Sequence, residues 1–140
     1  MSHNTNKANG YDRKRGKDIF SADPMAFARR DEKAVKAMGD LEEDVKTRFG
    51  KDKKGYITPT QLRNIYDLVK RCGDISELQL LRPKLLYTAA RQNKEEGKRI
   101  ILAIAQAVKS IEGTEGMKAF KTFMEATVAY HKYYFPADKG

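Results

Sequence analysis

The sequence predicts an all-α fold, a compact bundle of about five helices with a flexible basic N-terminal arm. Three observations carry that prediction. Apolar residues recur at three- and four-residue intervals along most of the chain. Proline and glycine fall at the starts and ends of those stretches. No segment alternates apolar and polar residues for more than four or five positions, so no sheet is expected. At 140 residues the chain has the length of one ordinary domain. It reads as an arm over 1–22 followed by a single helical-bundle domain over 23–140.

The arm, beginning MSHNTNKANGYDRKRGKD, has too few apolar groups to offset its own ordering entropy. Its RKRGK run can lie along phosphates or stay solvated. A rather acidic helix is expected next, starting at Asp23 with Pro24 at the first helical position. Val35, Met38, Leu41, Val45 and Phe49 keep helical spacing along it, and Gly50 ends it. Gly39 lies inside and costs ~1 kcal/mol relative to alanine, so a bend or a close contact is expected there.

KDKKG reads as a loop. ITPTQLRNIYDLVKRCGD then has Thr58 as N-cap, Pro59 at N1 and Gln61 where a capping box needs it. Leu62, Ile65, Tyr66 and Val69 form its apolar stripe, and Gly73 ends it. In ISELQLLRPKLLYTAARQN, Ser76 is the candidate cap, and Leu81, Leu85 and Ala89 share a face. Pro83 demands a kink or a new helix. The most apolar segment, KEEGKRIILAIAQAVKSIEG, is the expected central helix, striped by Ile100, Ile101, Ile104, Val108 and Ile111. The last helix is expected from near Thr114 to about Tyr134. One row holds Met117, Phe120, Met124, Val128 and His131, and a second holds Phe123, Thr127, Tyr130 and Tyr134. Two occupied faces imply packing against two neighbours or another chain.

Composition narrows the function. No run approaches the ~18 apolar residues of a membrane span, and the polar, basic N-terminus is not a secretory signal. A cytoplasmic location, with no membrane partner, is therefore expected. Cys72 is the single cysteine, which excludes an internal disulfide and reads as structural. The net charge of +9 favours an anionic partner, most often nucleic acid. The excess is uneven: +4 over residues 1–30, 0 over 31–57, +3 over 58–93 and +2 over 94–140.

Catalytic and cofactor motifs are absent. GKDKKG has neither the spacing nor the Ser/Thr of a phosphate-binding loop, no histidine pair suits a metal, and Ser110 lacks a nucleophile elbow. No cofactor, no metal and no catalytic residue is expected. His131 lies six residues from Glu125, about 240° away around a helix, so the two do not form a dyad. His131 is in register with Met124 and Val128 and should point into a packed surface, hydrogen-bonded to a buried carbonyl or carboxylate. Tyr130, Tyr134 and Phe135 also suit packing, whereas Tyr133 sits off both rows.

The basic residues carry more information. Lys51, Lys53 and Lys54 precede the helix opened by Thr58 and Thr60, whose amides and dipole favour an anion, with Arg63 one turn along. Arg82, Lys84 and Arg91 stand on the following helix, opposite its leucines, and guanidinium groups grip phosphates bidentately. The candidate RNA-binding residues are Lys53, Lys54, Thr58, Thr60, Arg63, Arg82, Lys84 and Arg91.

Three blocks carry a family resemblance: YITPTQLRNIYDLV, LLRPKLLYTAARQ and FMEATVAYHKYYF, spanning residues 56–135. In this order and spacing they resemble the small subunit of the type III-A CRISPR–Cas effector (Csm) complex. Members carry a TTSQLRN helix start, a PKLAYAAGR helix and an EALVAYHKYY C-terminus. This sequence departs at Ala90, where the family often has glycine, and at Phe135 and Pro136. The resemblance implies a helical subunit of an antiviral ribonucleoprotein. Copies of it would stack inside the complex and cradle the guide RNA–target RNA duplex beside the backbone and large subunits. It implies no RNA cutting, which belongs to other subunits, and makes the matched cations RNA-backbone contacts. Such a subunit must accept any guide, and phosphate contacts carry no sequence information. Two other readings stay open: a free-standing basic helical DNA-binding protein, with Gln61 and Asn64 as candidate base readers, and a small nuclease using His131.

Overall fold

Residues 19–136 are described in a computed structural model of the chain. Asp23 opens a short 3-10 turn, Pro24–Ala28, its carboxylate accepting the Met25 N–H at 3.0 Å. The helix expected from this point is interrupted at residues 29–31 and restarts as α1, Glu32–Arg48, with Asp31 as N-cap. The interruption therefore precedes Gly39, where an added Cβ would meet open space and the helix runs on. Val35, expected on the buried stripe, is 74% exposed, while Leu41, Val45 and Phe49 are sealed.

The lysine-rich loop closes into a small antiparallel ladder, β1 (Gly50–Lys51) against β2 (Lys54–Gly55), with Gly50 opposite Gly55 and Lys51 opposite Lys54. No sheet was expected. The cause is the two-residue turn Asp52–Lys53, with both residues at positive φ as a type I′ hairpin requires. Glycine is needed at both base positions. A Cβ on Gly50 would lie 2.3 Å from the Lys54 carbonyl oxygen and 2.4 Å from Phe135. One on Gly55 would lie 2.7 Å from the Ile57 carbonyl oxygen and 3.2 Å from His131 Nε2.

α2, Pro59–Lys70, starts as expected: Thr58 Oγ accepts the Gln61 N–H at 3.0 Å, and Gln61 Oε1 accepts the Thr58 N–H at 2.9 Å. α3, Ile75–Leu80, is capped by Asp74, not Ser76; the Asp74 carboxylate accepts the Glu77 N–H at 2.8 Å. Pro83 marks a new helix, α4, Arg82–Ala90, after the single turn residue Leu81. α5, Glu95–Lys109, and α6, Gly113–Tyr134, complete the bundle. α6 packs on the 3-10 turn, α1 and α2, while α5 packs on α4.

One apolar cluster joins these elements, from Ile19 to Phe135. Ile100, Ile101 and Ile104 of α5 are sealed, but the helix that packs on most others is α6, not α5 as expected. Phe123 of α6 meets Phe20, Phe27 and Phe120 with ring centroids 4.9–5.8 Å apart, pairs worth roughly 0.5–1.5 kcal/mol each beyond area burial. Of the arm assigned to 1–22, residues 1–18 with their RKRGK run lie outside the described residues. Its last four are packed: Ile19, Phe20 and Ala22 are buried, and the buried Asp44 carboxylate accepts from the Ser21 N–H, the Ser21 hydroxyl and the Ala22 N–H at 2.8–3.1 Å.

Candidate functional site

Five of the candidate cations between residues 51 and 94 face solvent, in three groups. Lys53 and Lys54 are exposed on the hairpin that leads into α2. Arg63 is exposed on α2. Lys84 and Arg91 are exposed at the two ends of α4, on one side of it, because seven residues turn a helix through about 700°. Between them stands Tyr87, 63% exposed, with the Arg91 guanidinium 5.6 Å from its ring centre. A cation stacked on an exposed tyrosine is a surface suited to phosphate and base together.

Thr58 and Arg91 come together. With Gln61, Gln92, Asn93 and Lys94 they line a groove of about 240 Å³ between the start of α2 and the turn after α4. The groove joins two guanidinium- or ammonium-bearing side chains to amide donors, a set that matches phosphate and sugar oxygens. Lys94, Gln92 and Tyr87 were not singled out by the sequence reading. Lys94 and Gln92 lie between helices, where periodicity gives no signal, and Tyr87 lies off the face shared by Leu81, Leu85 and Ala89.

Two expected contributions take a different form. The α2 start was expected to offer free amides to an anion. Pro59 has no N–H, the Gln61 N–H is held by the Thr58 hydroxyl, and the Leu62 N–H bonds the Thr58 carbonyl at 3.0 Å. The helix caps itself and leaves fewer free amides than expected. Thr60 is exposed at the same helix start. Arg82 is half-buried, and its Nε donates to the Ala105 carbonyl at 3.1 Å, tying α4 to α5.

His131 is completely buried, with the rings of Phe49 and Phe135 5.9 and 5.4 Å away. Neither ring nitrogen makes a hydrogen bond of full geometry among the described residues, and the Ile57 backbone is a polar group beside the ring. Burial lowers its pKa to about 4, against the opposing pull of the Ile57 backbone. An imidazole kept neutral and away from solvent cannot meet a substrate. Tyr133 is 75% exposed, as its position off both rows suggested, whereas the Tyr134 hydroxyl donates to Glu42 at 2.6 Å. Burial pushes the Cys72 thiol pKa up, and its S–H donates to the Leu68 carbonyl at 3.4 Å. Among the described residues no cluster of His, Cys, Asp and Glu could hold a metal ion, and no helix is long and apolar enough to cross a membrane.

A wider groove of about 510 Å³ lies between the 3-10 turn and α1. Two of its three cations are matched locally, Arg29 with Asp31 and Lys36 with Asp40 at 2.7 Å, while Lys33 enters no ion pair among the described residues. Arg29 also holds the Asp31 carboxyl down at about 2.

Comparison with known proteins gives two matches. Residues 35–137 match the family described as Csm2 Type III-A. A Streptococcus thermophilus protein named "CRISPR system Cms protein Csm2" is 28% identical over 113 residues, covering 74% of this chain and 88% of that protein. No solved structure matches. The family match begins at residue 35, well before the first of the three blocks at 56.

Proposed function

The chain belongs to the Csm2 type III-A family, the small subunits of type III-A CRISPR effector complexes, and from that premise we propose that it holds the guide RNA–target RNA duplex by its backbone without reading sequence. It works in the cytoplasm, without a membrane, beside the backbone and large subunits and against copies of itself. It performs no chemistry on the RNA.

The observation that carries this reading is the unpaired charge between residues 51 and 94. Among the described residues, Lys53, Lys54, Arg63, Lys84 and Arg91 enter no ion pair, and all are exposed. Neutralising phosphates releases condensed counterions, the main source of affinity when bases are not read. Arg63, Lys84, Arg91 and the hairpin lysines supply the charge. Thr58 borders the groove, Thr60 is exposed at the same helix start, and Arg82 keeps α4 in place by its bond to the Ala105 carbonyl. The sealed His131 supports a binding role over the nuclease alternative.

The test is competition on the full-length protein between a guide–target RNA duplex and a DNA duplex of the same sequence, in a fixed salt concentration. The expected result is preferential retention of RNA, with no change when the sequence is scrambled. Preference for the DNA duplex, or for one sequence, would favour the free-standing DNA-binding alternative instead.

A further inference from the structure

The hairpin between α1 and α2 breaks two rules of local stability, and a lysine is responsible each time. Lys53 sits at φ 68°, at the second central position of the turn. That position in a type I′ hairpin calls for glycine, and a long side chain there carries a steric penalty. Asp52, at φ 53°, is a better-tolerated residue in this conformation. Lys51 and Lys54 face each other directly across the ladder. Directly opposed residues project to the same face, and like charges in such a pair repel. All three lysines are exposed, none is in an ion pair among the described residues, and Asp52 is the one acid among them.

The base of this hairpin is fixed, which gives the strained tip a defined position. Gly50 lies against the Phe135 ring and Gly55 against His131, both near the C-terminal end of α6. The Tyr56 N–H donates to the Phe49 carbonyl at 2.8 Å and extends the ladder. The buried imidazole, packed against Phe49 and Phe135, is part of the floor on which the hairpin rests. A hairpin selected only for folding would carry Asp-Gly at its tip and an attractive pair across its strands. Where local preference is contradicted repeatedly at one exposed spot, function is the usual reason.

We infer that the Gly50–Gly55 hairpin is a preorganised cationic finger for a phosphodiester backbone, in which Lys53 and the opposed Lys51 and Lys54 are kept against the stability of the hairpin itself. The inference rests on the RNA-binding reading above and adds to it. Phosphate between the lysine ammoniums relieves their mutual repulsion, so binding and hairpin stability are coupled. The finger accepts any sequence, because its groups match only the backbone.

Two variants of the full-length protein test it, Lys53→Gly and Lys51→Glu, each measured for thermal midpoint and for affinity to a labelled RNA duplex of arbitrary sequence over a salt series. Both variants should raise the midpoint by a few degrees, the first by relieving strain and the second by making the cross-strand pair attractive. Both should bind the duplex several-fold more weakly, and Lys53→Gly should reduce the log–log salt slope by about 0.7–0.9. The finger is overturned if both variants bind as the wild type does while Arg91→Ala binds more weakly; the RNA reading then survives without it. It is also overturned if both variants lower the midpoint, since the lysines then serve the hairpin. If the wild-type protein shows no salt-dependent binding, the RNA reading fails and the finger fails with it.

Discussion

Residues 29–48 hold six basic and six acidic side chains, while residues 51–94 hold ten basic and four acidic. The first stretch, mostly α1, has equal numbers of both signs and pairs three of its six cations, while Arg30 and Lys33 enter no ion pair among the described residues. Arg29 pairs with Asp31, Lys36 with Asp40 and Arg48 with the buried Asp44, and Lys46 lies 6.0 Å over the Tyr134 ring. The second stretch, the hairpin through α4, contains no ion pair among the described residues. The supply of acids explains part of the contrast. In α1 two acids fall four residues from a base and meet it within the helix, Asp40 with Lys36 and Asp44 with Arg48. α4 carries no acid, and the one acid of α2, Asp67, lies four residues from Arg63 but forms no ion pair with it among the described residues. Net charge alone therefore misleads about where a polyanion can bind; what matters is which cations are left without a partner.

The contrast is broken most severely by removing the unpaired cations together. Arg63→Ala, Lys84→Ala and Arg91→Ala combined should weaken RNA-duplex binding on the order of a thousandfold, from three charge-assisted contacts at ~1.5 kcal/mol each. Circular dichroism should show the fold intact, because all three side chains are exposed. An affinity unchanged within threefold would place the RNA elsewhere.

A second prediction separates folding from binding through His131. Its folded pKa, about 4, lies below the unfolded value near 6.5. Between those values the unfolded chain holds more protons, so stability is full above pH ~6.5 and falls as the pH drops toward 4. The loss should reach about 3 kcal/mol at most, seen as a falling urea midpoint. His131→Leu should flatten the profile over that window; an equally steep profile in the variant would assign the pH dependence to other groups.

Smaller effects sharpen the comparison. Thr58→Ala removes the hydroxyl half of the capping box and should lower the unfolding free energy by about 1 kcal/mol, checked by urea titration. Lys36→Ala, which removes an ion-paired cation of the first stretch, should change RNA affinity less than twofold in the same binding assay used for the triple variant. Its effect on stability should stay within ~0.5 kcal/mol.

Much of this was legible in sequence where a local rule decides alone. The Thr58–Pro59–Gln61 start, the apolar stripe of α5 and the two rows of α6 follow from capping and period. The interruption at 29–31 was missed because Asp31 caps α1 inside a stretch whose apolar spacing looks continuous. Val35 kept that spacing yet faces solvent, since periodicity marks a stripe without saying what covers it. The hairpin was hidden because Asp-Lys is a poor turn sequence, and its closure depends on packing against Phe135 and His131, 80 residues away in the chain. Among the candidate site residues, exposure of Arg63, Lys84 and Arg91 followed from helical faces. The inward bond of Arg82 and the groove joining Thr58 to Arg91 are tertiary and leave no local trace.

The central claim is that unpaired cations hold a polyanion without reading it. The most direct measurement is the affinity of the full-length protein for two duplex RNAs of unrelated sequence, followed from low to high salt. Equal affinities falling along parallel, steep log–log lines are predicted. Affinities that ignore salt, or that differ more than tenfold between the two sequences, would contradict it.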